Sequence, residues 1–171
     1  MWPEQLEALF DANHVRLYRL ARRMSGDSEE ARDLVQQAFL RAASRPDLLP
    51  AAPAGREAWL VRTLVNLCRD RWRRLRVRRE AAGLLPRPAQ RSDPEASAVA
   101  RATVQAALGR LSPRRRAVIV LHELEERDAG EIARLLGISR VTVRWHLSAA
   151  RKELRAMLLE RRETPRGGRD E

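Results

Sequence analysis

The chain has 171 residues, which is enough for one or two domains, and 44% of them are hydrophobic, so it can bury a core. Its formal net charge of +11 is typical of domains that bind a polyanion such as nucleic acid. A single cysteine excludes a disulfide framework and a thiolate metal site, and no apolar stretch approaches the length of a membrane span.

The N-terminal part predicts two helices. The first residues lack the basic start and apolar run of a signal peptide, so we expect a cytoplasmic protein. Apolar residues recur at three- and four-residue steps from about Pro3 to Met24, which indicates an amphipathic helix. Asp27 and Glu30 then form a capping-box pattern that begins a second helix. The face of that helix opposite its apolar stripe is acidic and amide-rich, with Asp33, Gln36 and Gln37.

A loop and a long basic helix follow. Residues 44–55 contain three prolines and a glycine, so we expect a loop there, and a third helix from about Arg56 to Glu80. Its predicted inner face consists of Trp59, Leu60, Thr63, Leu64, Leu67, Cys68 and Leu75. Residues 51–92 hold eleven arginines and three acidic residues, so the excess positive charge lies here. Arginines neutralise phosphates and an indole can stack on an unpaired base, although Trp59 is expected in the core.

The second half predicts a linker and four more helices. Residues 83–94 contain three prolines and no helical stripe, which is typical of a linker. Asp93 is expected to cap the next helix, and Ser112 with Pro113 to begin another. The last helix has a predicted inner face of Val143, Leu147, Ala150, Leu154 and Leu158. After residue 162 the chain is polar and we expect disorder.

Residues 128–155 have the pattern of a helix-turn-helix. Two helices that cross steeply need a small contact residue, which Ala133 provides, and a turn residue that accepts positive φ, which Gly137 provides. Ile138 and Val143 can fill the corner. The polar side chains expected to face the groove are Arg140, Thr142, Arg144, Trp145, His146 and Ser148. Asp128 with Glu131 forms a second capping-box pattern, and Ser139 is expected to cap the last helix. A plain helical hairpin is the alternative, but these caps and the basic outer face favour a DNA-binding motif.

These elements predict an all-α chain of two small domains. We expect a three-helix domain over residues 1–82, a proline-rich linker over 83–94, a helix-turn-helix domain over 95–162 and a disordered tail over 163–171. The three histidines lie far apart, and neither a glycine-rich phosphate loop nor a metal-ligand cluster is present in the sequence. We therefore expect that the chain is not an enzyme and that it binds neither a cofactor nor a metal ion.

Three segments resemble the bacterial RNA polymerase sigma factors of the extracytoplasmic-function (ECF) type. They are SEEARDLVQQAFLRAA, AWLVRTLVNLCRDRWRRLRVRRE and LGRLSPRRRAVIVLHELEERDAGEIARLLGISRVTVRWHLSAARKELR, in the family's order. The resemblance covers about residues 4–160. It implies core RNA polymerase and promoter DNA as partners, through the clamp coiled coil, the flap and two promoter elements. Members of this class are often held by an anti-sigma protein, although nothing in the sequence indicates one.

The resemblance also implies residue roles. Asp33, Gln36 and Gln37 would contact the clamp, and the loop 44–55 would hold a flipped base of the minus-ten element. The path of the minus-ten strand would be lined by Asn66, Arg69, Arg73 and Arg74. The minus-thirty-five element would be read by Arg140, Thr142, Arg144, Trp145, His146, Ser148, Ala149 and Arg151.

Two positions depart from the family pattern. The family commonly has a small polar residue at 145 and an arginine at 149, where this chain has Trp145 and Ala149. Readout of the upstream element could rest on Arg144 and His146, on DNA shape, or on packing of Trp145 against a thymine methyl group. Two other functions stay open at this point: a stand-alone helix-turn-helix regulator, and an RNA-binding protein that uses the arginine-rich helix.

Overall fold

A computed structural model describes residues 2–81 and 96–163, and within these ranges the chain is α-helical, with no strand. The helices are α1 (Trp2–Ser25), α2 (Ser28–Ser44), α3 (Pro53–Ala81), α4 (Ala96–Arg110), α5 (Pro113–Glu123), α6 (Ala129–Leu136) and α7 (Arg140–Glu163), with a short 3-10 turn at Pro46–Leu48. The all-α prediction is confirmed. The predicted linker 83–94, the cap Asp93 and residues 164–171 of the predicted tail lie outside the described residues.

The first domain is a bundle of α1, α2 and α3. Asp27 caps α2, since its side chain accepts a hydrogen bond from the Glu30 backbone nitrogen at 2.8 Å. The predicted capping box is only half formed, because the Glu30 carboxylate turns instead to Arg71 Nε at 2.6 Å. The core of this bundle is built from buried aliphatic residues that include Leu17, Leu20, Met24, Leu34, Leu60 and Leu64. Each such side chain contributes about 1.5–3 kcal/mol by leaving water.

Three expectations about helix extent and burial are wrong. α3 begins at Pro53 rather than Arg56, because proline is favoured in the first helical turn, so the loop between helices is shorter than 44–55. Leu75 is 38% exposed and Leu158 is 47% exposed, although both continue an apolar stripe. Both lie towards the far ends of long helices, past the last residues of their own stripes that are buried.

The second domain consists of α4 to α7, and it packs against the first. α3 contacts α5 and α6, while α1 contacts α4 and α5. Arg116 on α5 is 7% exposed and donates to the backbone oxygens of Met24, of Gly109 at 2.7 Å and of Leu111 at 3.2 Å. These carbonyls end α1 and α4, so one buried guanidinium satisfies two helix C-termini.

A cluster of ion pairs borders the same contact between the domains. Arg16 on α1 donates from Nη2 to Glu125 Oε2 at 2.8 Å and also pairs with Glu57 on α3. Arg127 lies 3.9 Å from the Glu57 carboxylate and pairs with Glu131 at 3.1 Å. Residues from both domains therefore share one network of alternating charge.

Candidate nucleic-acid interface

The helix-turn-helix begins with a complete capping box. Asp128 accepts hydrogen bonds from the backbone nitrogens of Gly130 at 2.6 Å and Glu131 at 2.9 Å, and the Glu131 carboxylate accepts one from the Asp128 nitrogen at 3.0 Å. The two backbone hydrogen bonds hold the pKa of the Asp128 carboxyl below its usual value. The predicted cap at the start of α6 is confirmed.

The turn between α6 and α7 also has the predicted geometry. Gly137 adopts φ 67° and ψ 40°, the left-handed conformation that ends α6. Ser139 Oγ accepts a hydrogen bond from the Thr142 nitrogen at 3.0 Å and so caps α7. Val143 is fully buried and Ile138 packs against the core, so both fill the corner as expected.

The outer face of α7 carries most of the residues expected to read DNA. Exposed side chains on it are Arg140, Arg144, Trp145, Ser148 and Arg151. Thr142 and Ala149 are half-buried, and the Thr142 hydroxyl is 2.8 Å from Ser139 Oγ, so it takes part in the cap. Arg151 donates to Glu123 Oε1 at 2.7 Å, which turns its guanidinium towards α5. Arg140 is exposed, but its guanidinium lies beside Gly130 at the start of α6. Arg144, Trp145 and Ser148 therefore remain directed to solvent.

His146 lies differently from the other predicted residues of this face. Its side chain is only 9% exposed, and Nδ1 is buried without a hydrogen-bond partner within the described part of the chain. Burial lowers the pKa of the imidazole, and the nearby charges of Arg114 and Arg115 lower it further. Both effects favour the neutral form of the ring. Periodicity alone did not reveal this, because position 146 lies at the border between the inner and outer faces of α7.

The residues expected along the minus-ten strand follow the second half of α3. Asn66 and Arg69 are half-buried, whereas Arg73 and Arg74 are exposed. The Arg69 Nε atom lies 3.8 Å from the Asp70 carboxylate. α3 thus offers a basic surface that grows more exposed towards its C-terminus.

The tryptophans of α3 have different surroundings. Trp59 packs against the core, as expected from its place in the apolar stripe. Trp72 is half-buried, and the Arg76 guanidinium lies over its ring at 5.7 Å. An indole in contact with an arginine is a surface on which an unpaired base can stack.

The acidic and amide face of α2 is free of core contacts. Asp33, Gln36 and Gln37 are all exposed, on the side opposite the buried residues Leu34 and Ala38. This face belongs to the same bundle as the basic α3, so one domain presents surfaces of opposite character.

Sequence reasoning missed the residues that act between elements far apart in the chain. Arg62 lies so close to Gly137 that a Cβ at residue 137 would be 3.0 Å from its Nη1 atom. Arg116 also joins the two domains, and a charged residue in an amphipathic helix gives no local sign of burial. Among the described side chains, no group of three or more His, Cys, Asp or Glu could hold a metal ion. No helix in the described ranges is long and apolar enough to cross a membrane.

Two family profiles match the chain in succession. Residues 9–92 match "Sigma-70 region 2" and residues 101–154 match "Sigma-70, region 4". Relatives named ECF RNA polymerase sigma factors include SigM of Mycobacterium tuberculosis, 35% identical over 153 residues, which are 89% of this chain and 76% of SigM. SigL of the same species is 32% identical over 158 residues, or 91% of this chain and 89% of SigL. SigE of Mycolicibacterium smegmatis is 38% identical over 152 residues, or 84% of this chain and 57% of SigE.

Solved structures have the same fold. CnrH, in complex with the cytosolic domain of CnrY, has a TM-score of 0.62 and 27% identity, over 92% of this chain and 90% of CnrH. RpoE of Bartonella quintana, in complex with the anti-sigma factor NepR, has a TM-score of 0.59 and 23% identity, over 92% of this chain and 96% of RpoE.

Proposed function

The chain belongs to the ECF sigma factors of bacterial RNA polymerase, and we propose that it attaches to core polymerase and directs it to promoters by contacting two DNA elements. The observation that carries this proposal is the presence of regions 2 and 4, in that order, in one chain. A stand-alone helix-turn-helix regulator has no need of region 2. An RNA-binding protein has no need of the helix-turn-helix.

We assign polymerase attachment to the exposed face of α2. Asp33, Gln36 and Gln37 would contact the clamp coiled coil, and their separation from the basic α3 keeps DNA away from this face. The second domain would contact the flap. An anti-sigma protein, such as the NepR that binds RpoE of Bartonella quintana, would be a further partner and would compete for the same surfaces of this chain.

The minus-ten element would be captured by the first domain as a single strand. Arg73 and Arg74 are exposed and would neutralise phosphates, with Asn66 and Arg69 beside them on α3. The segment around the 3-10 turn would receive a flipped base. Unstacking that base costs a few kcal/mol, which contacts in the segment must offset.

The minus-thirty-five element would be read as duplex DNA by α7. Arg140 and Arg144 stand in its first turns, where recognition helices contact base edges, with Trp145 and Ser148 on the same surface. Thr142 would act through the cap, Ala149 and His146 by shaping the surface, and Arg151 nearer the phosphates. Residues 1–82 and 95–162 would be the two functional units, joined by 83–94. The chain would act without catalytic residues, cofactor or metal, in the cytoplasm where polymerase is.

Run-off transcription with core polymerase and this chain tests the proposal. On genomic fragments, including the region upstream of its own gene, we expect transcripts with defined starts that appear only when the chain is added. The variant Asp33→Arg should lose both transcripts and co-purification with core polymerase. Glu7→Arg makes the same charge change at an exposed position of α1 and should retain both. A chain that does not bind core polymerase, or binds it without defined starts, would contradict the proposal.

A further inference from the structure

Two large apolar side chains stand exposed at the start of α7. Val141 is 75% exposed and Trp145 is 58% exposed. They are four residues apart, so they are neighbours on one side of the helix. Val141 has the largest exposed fraction among the exposed large hydrophobic residues of the described part of the chain. Two adjacent apolar side chains at the reading end of a recognition helix need an apolar target.

The indole of Trp145 is held in place before anything binds it. The Arg115 guanidinium lies 5.2 Å from the ring centroid and is itself paired with Glu153. The buried ring of His146 approaches the indole at a centroid distance of 4.9 Å and an angle of 65°. Because these groups support Trp145, little conformational entropy is lost when its exposed part makes a contact.

We propose that Val141 and Trp145 form an apolar ridge that reads thymine methyl groups in the major groove of the upstream promoter element. The methyl group is the apolar feature that distinguishes a base pair in that groove. Four residues span about 6 Å of helix axis, and base pairs are stacked about 3.4 Å apart. The ridge therefore fits methyl groups on adjacent or next-adjacent base pairs.

The charges around the ridge favour DNA over a protein as its target. Arg140 and Arg144 are exposed beside the ridge on one side of the helix, and Arg140 lies near Gly130 at the start of α6. Arg144 is therefore placed to hold a phosphate or a guanine edge while the ridge enters the groove. Under this proposal, the departure from the family pattern at Trp145 gives the protein a preference for thymine in the upstream element. The ridge rests on the proposed function, because it needs the second domain to read duplex DNA.

Replacing thymine by deoxyuridine tests the ridge, because this change removes only the methyl group and keeps base pairing. Polymerase holoenzyme formed with the full chain is measured on a promoter found by transcription, with each upstream thymine replaced in turn. We expect one or two nearby positions at which the replacement weakens binding about threefold to fivefold, the effect of one buried methyl group.

Variants then link this effect to the ridge. Each side chain is expected to read one position of the upstream element. Holoenzyme with Trp145→Ala or Val141→Ala should bind promoters with thymine or deoxyuridine at that position equally well. Val104→Ala, at an exposed valine of α4, should keep the native preference.

The outcomes separate the ridge from the function on which it rests. The ridge proposal is overturned if the holoenzyme binds the promoter specifically but no deoxyuridine replacement changes this binding. It is also overturned if the upstream element contains no thymine. Both outcomes leave the sigma-factor function intact. Ridge variants that weaken polymerase attachment but keep the thymine preference indicate a protein partner and also overturn the ridge proposal. Absence of any specific promoter binding by the holoenzyme contradicts the proposed function itself.

Discussion

Arg116 donates a hydrogen bond to the backbone oxygen of Met24, and this bond joins two helices that belong to different domains. The same guanidinium bonds the Gly109 and Leu111 carbonyls at the end of α4. The three hydrogen bonds offset the cost of burying this cation, and they supply donors to carbonyls that end two helices. The guanidinium of Arg116 is more deeply buried than the half-buried ion pairs around it, so we expect the contact between the domains to depend on it more than on any one of those pairs.

Arg116→Met should lower the free energy of unfolding by about 2–4 kcal/mol, because the apolar side chain fills the space but leaves buried carbonyls without donors. Urea denaturation followed by circular dichroism measures the change. Arg101→Met is the control, since Arg101 is exposed on α4, and it should alter stability by less than about 0.5 kcal/mol. An equally small effect of Arg116→Met would contradict the role given to this guanidinium.

Gly137→Ala and Gly109→Ala should have opposite effects on stability. At Gly137 a side chain is strained by the positive φ and would meet Arg62, so we expect a loss of about 1–2 kcal/mol. At Gly109, within α4, an added Cβ meets no described atom within 4 Å, so alanine should stabilise by about 0.5–1 kcal/mol. Thermal unfolding of the two variants checks both signs, and a stabilised Gly137→Ala would show that the turn tolerates a side chain.

The capping box predicts a dependence of stability on acid. Hydrogen bonds lower the pKa of Asp128 in the folded chain, so its ionised form stabilises the fold above the ordinary value of 3.8. This contribution is lost as the pH falls through the lowered folded value. Wild type should therefore be more stable than Asp128→Ala at neutral pH, and the difference should shrink under acidic conditions. A difference in melting temperature that does not change with pH would argue against an ionised cap.

Cys68 should be unreactive in the folded chain. Burial raises the pKa of its thiol to about 12, so very little thiolate is present near neutral pH, and the side chain is only 8% exposed. A thiol-reactive dye should label the native protein at a rate set by unfolding, and the urea-denatured protein at the rate of a free cysteine. Fast labelling of the native chain would mean that the inner face of α3 opens.

Arg144→Ala should change promoter preference at a single base pair. If the guanidinium binds a guanine edge through two hydrogen bonds, its loss costs about 1–3 kcal/mol on promoters with that base pair and little on others. Holoenzyme binding to a set of promoters with single substitutions gives the answer. A uniform loss over the whole set would instead identify Arg144 as a phosphate contact.

Local patterns predicted the turn of the helix-turn-helix well. Asp128, Gly137 and Ser139 were assigned their roles correctly, because caps and positive φ are properties of a few consecutive residues. Leu75 was predicted to be buried and is not, since an apolar stripe does not show where the neighbouring helices end. Arg116 could not be recognised, because its acceptors lie 92, 7 and 5 residues away and the most distant is in the other domain.

The reading face of α7 was predicted in outline and corrected in detail. Arg140 and Arg144 are exposed as expected, whereas His146 is buried, with its ring 4.9 Å from that of Trp145. Val141 was not singled out at all, because an apolar residue beside the buried Val143 is ordinary in an amphipathic helix. The predicted inner face included Val143, and the structure adds that Val141 is 75% exposed.

The bonds that Arg116 and Arg16 make between the two domains should affect how the chain binds promoter DNA when it is not attached to core polymerase. The two promoter elements lie about 25 base pairs, or roughly 85 Å, apart on B-DNA, so under the proposed function we expect the two domains to separate before one chain contacts both. Every ~1.4 kcal/mol needed to separate the domains weakens the affinity of the free chain for the two elements tenfold. We expect core polymerase to hold the two domains apart and so to remove this penalty, whereas the free chain should bind promoters only weakly.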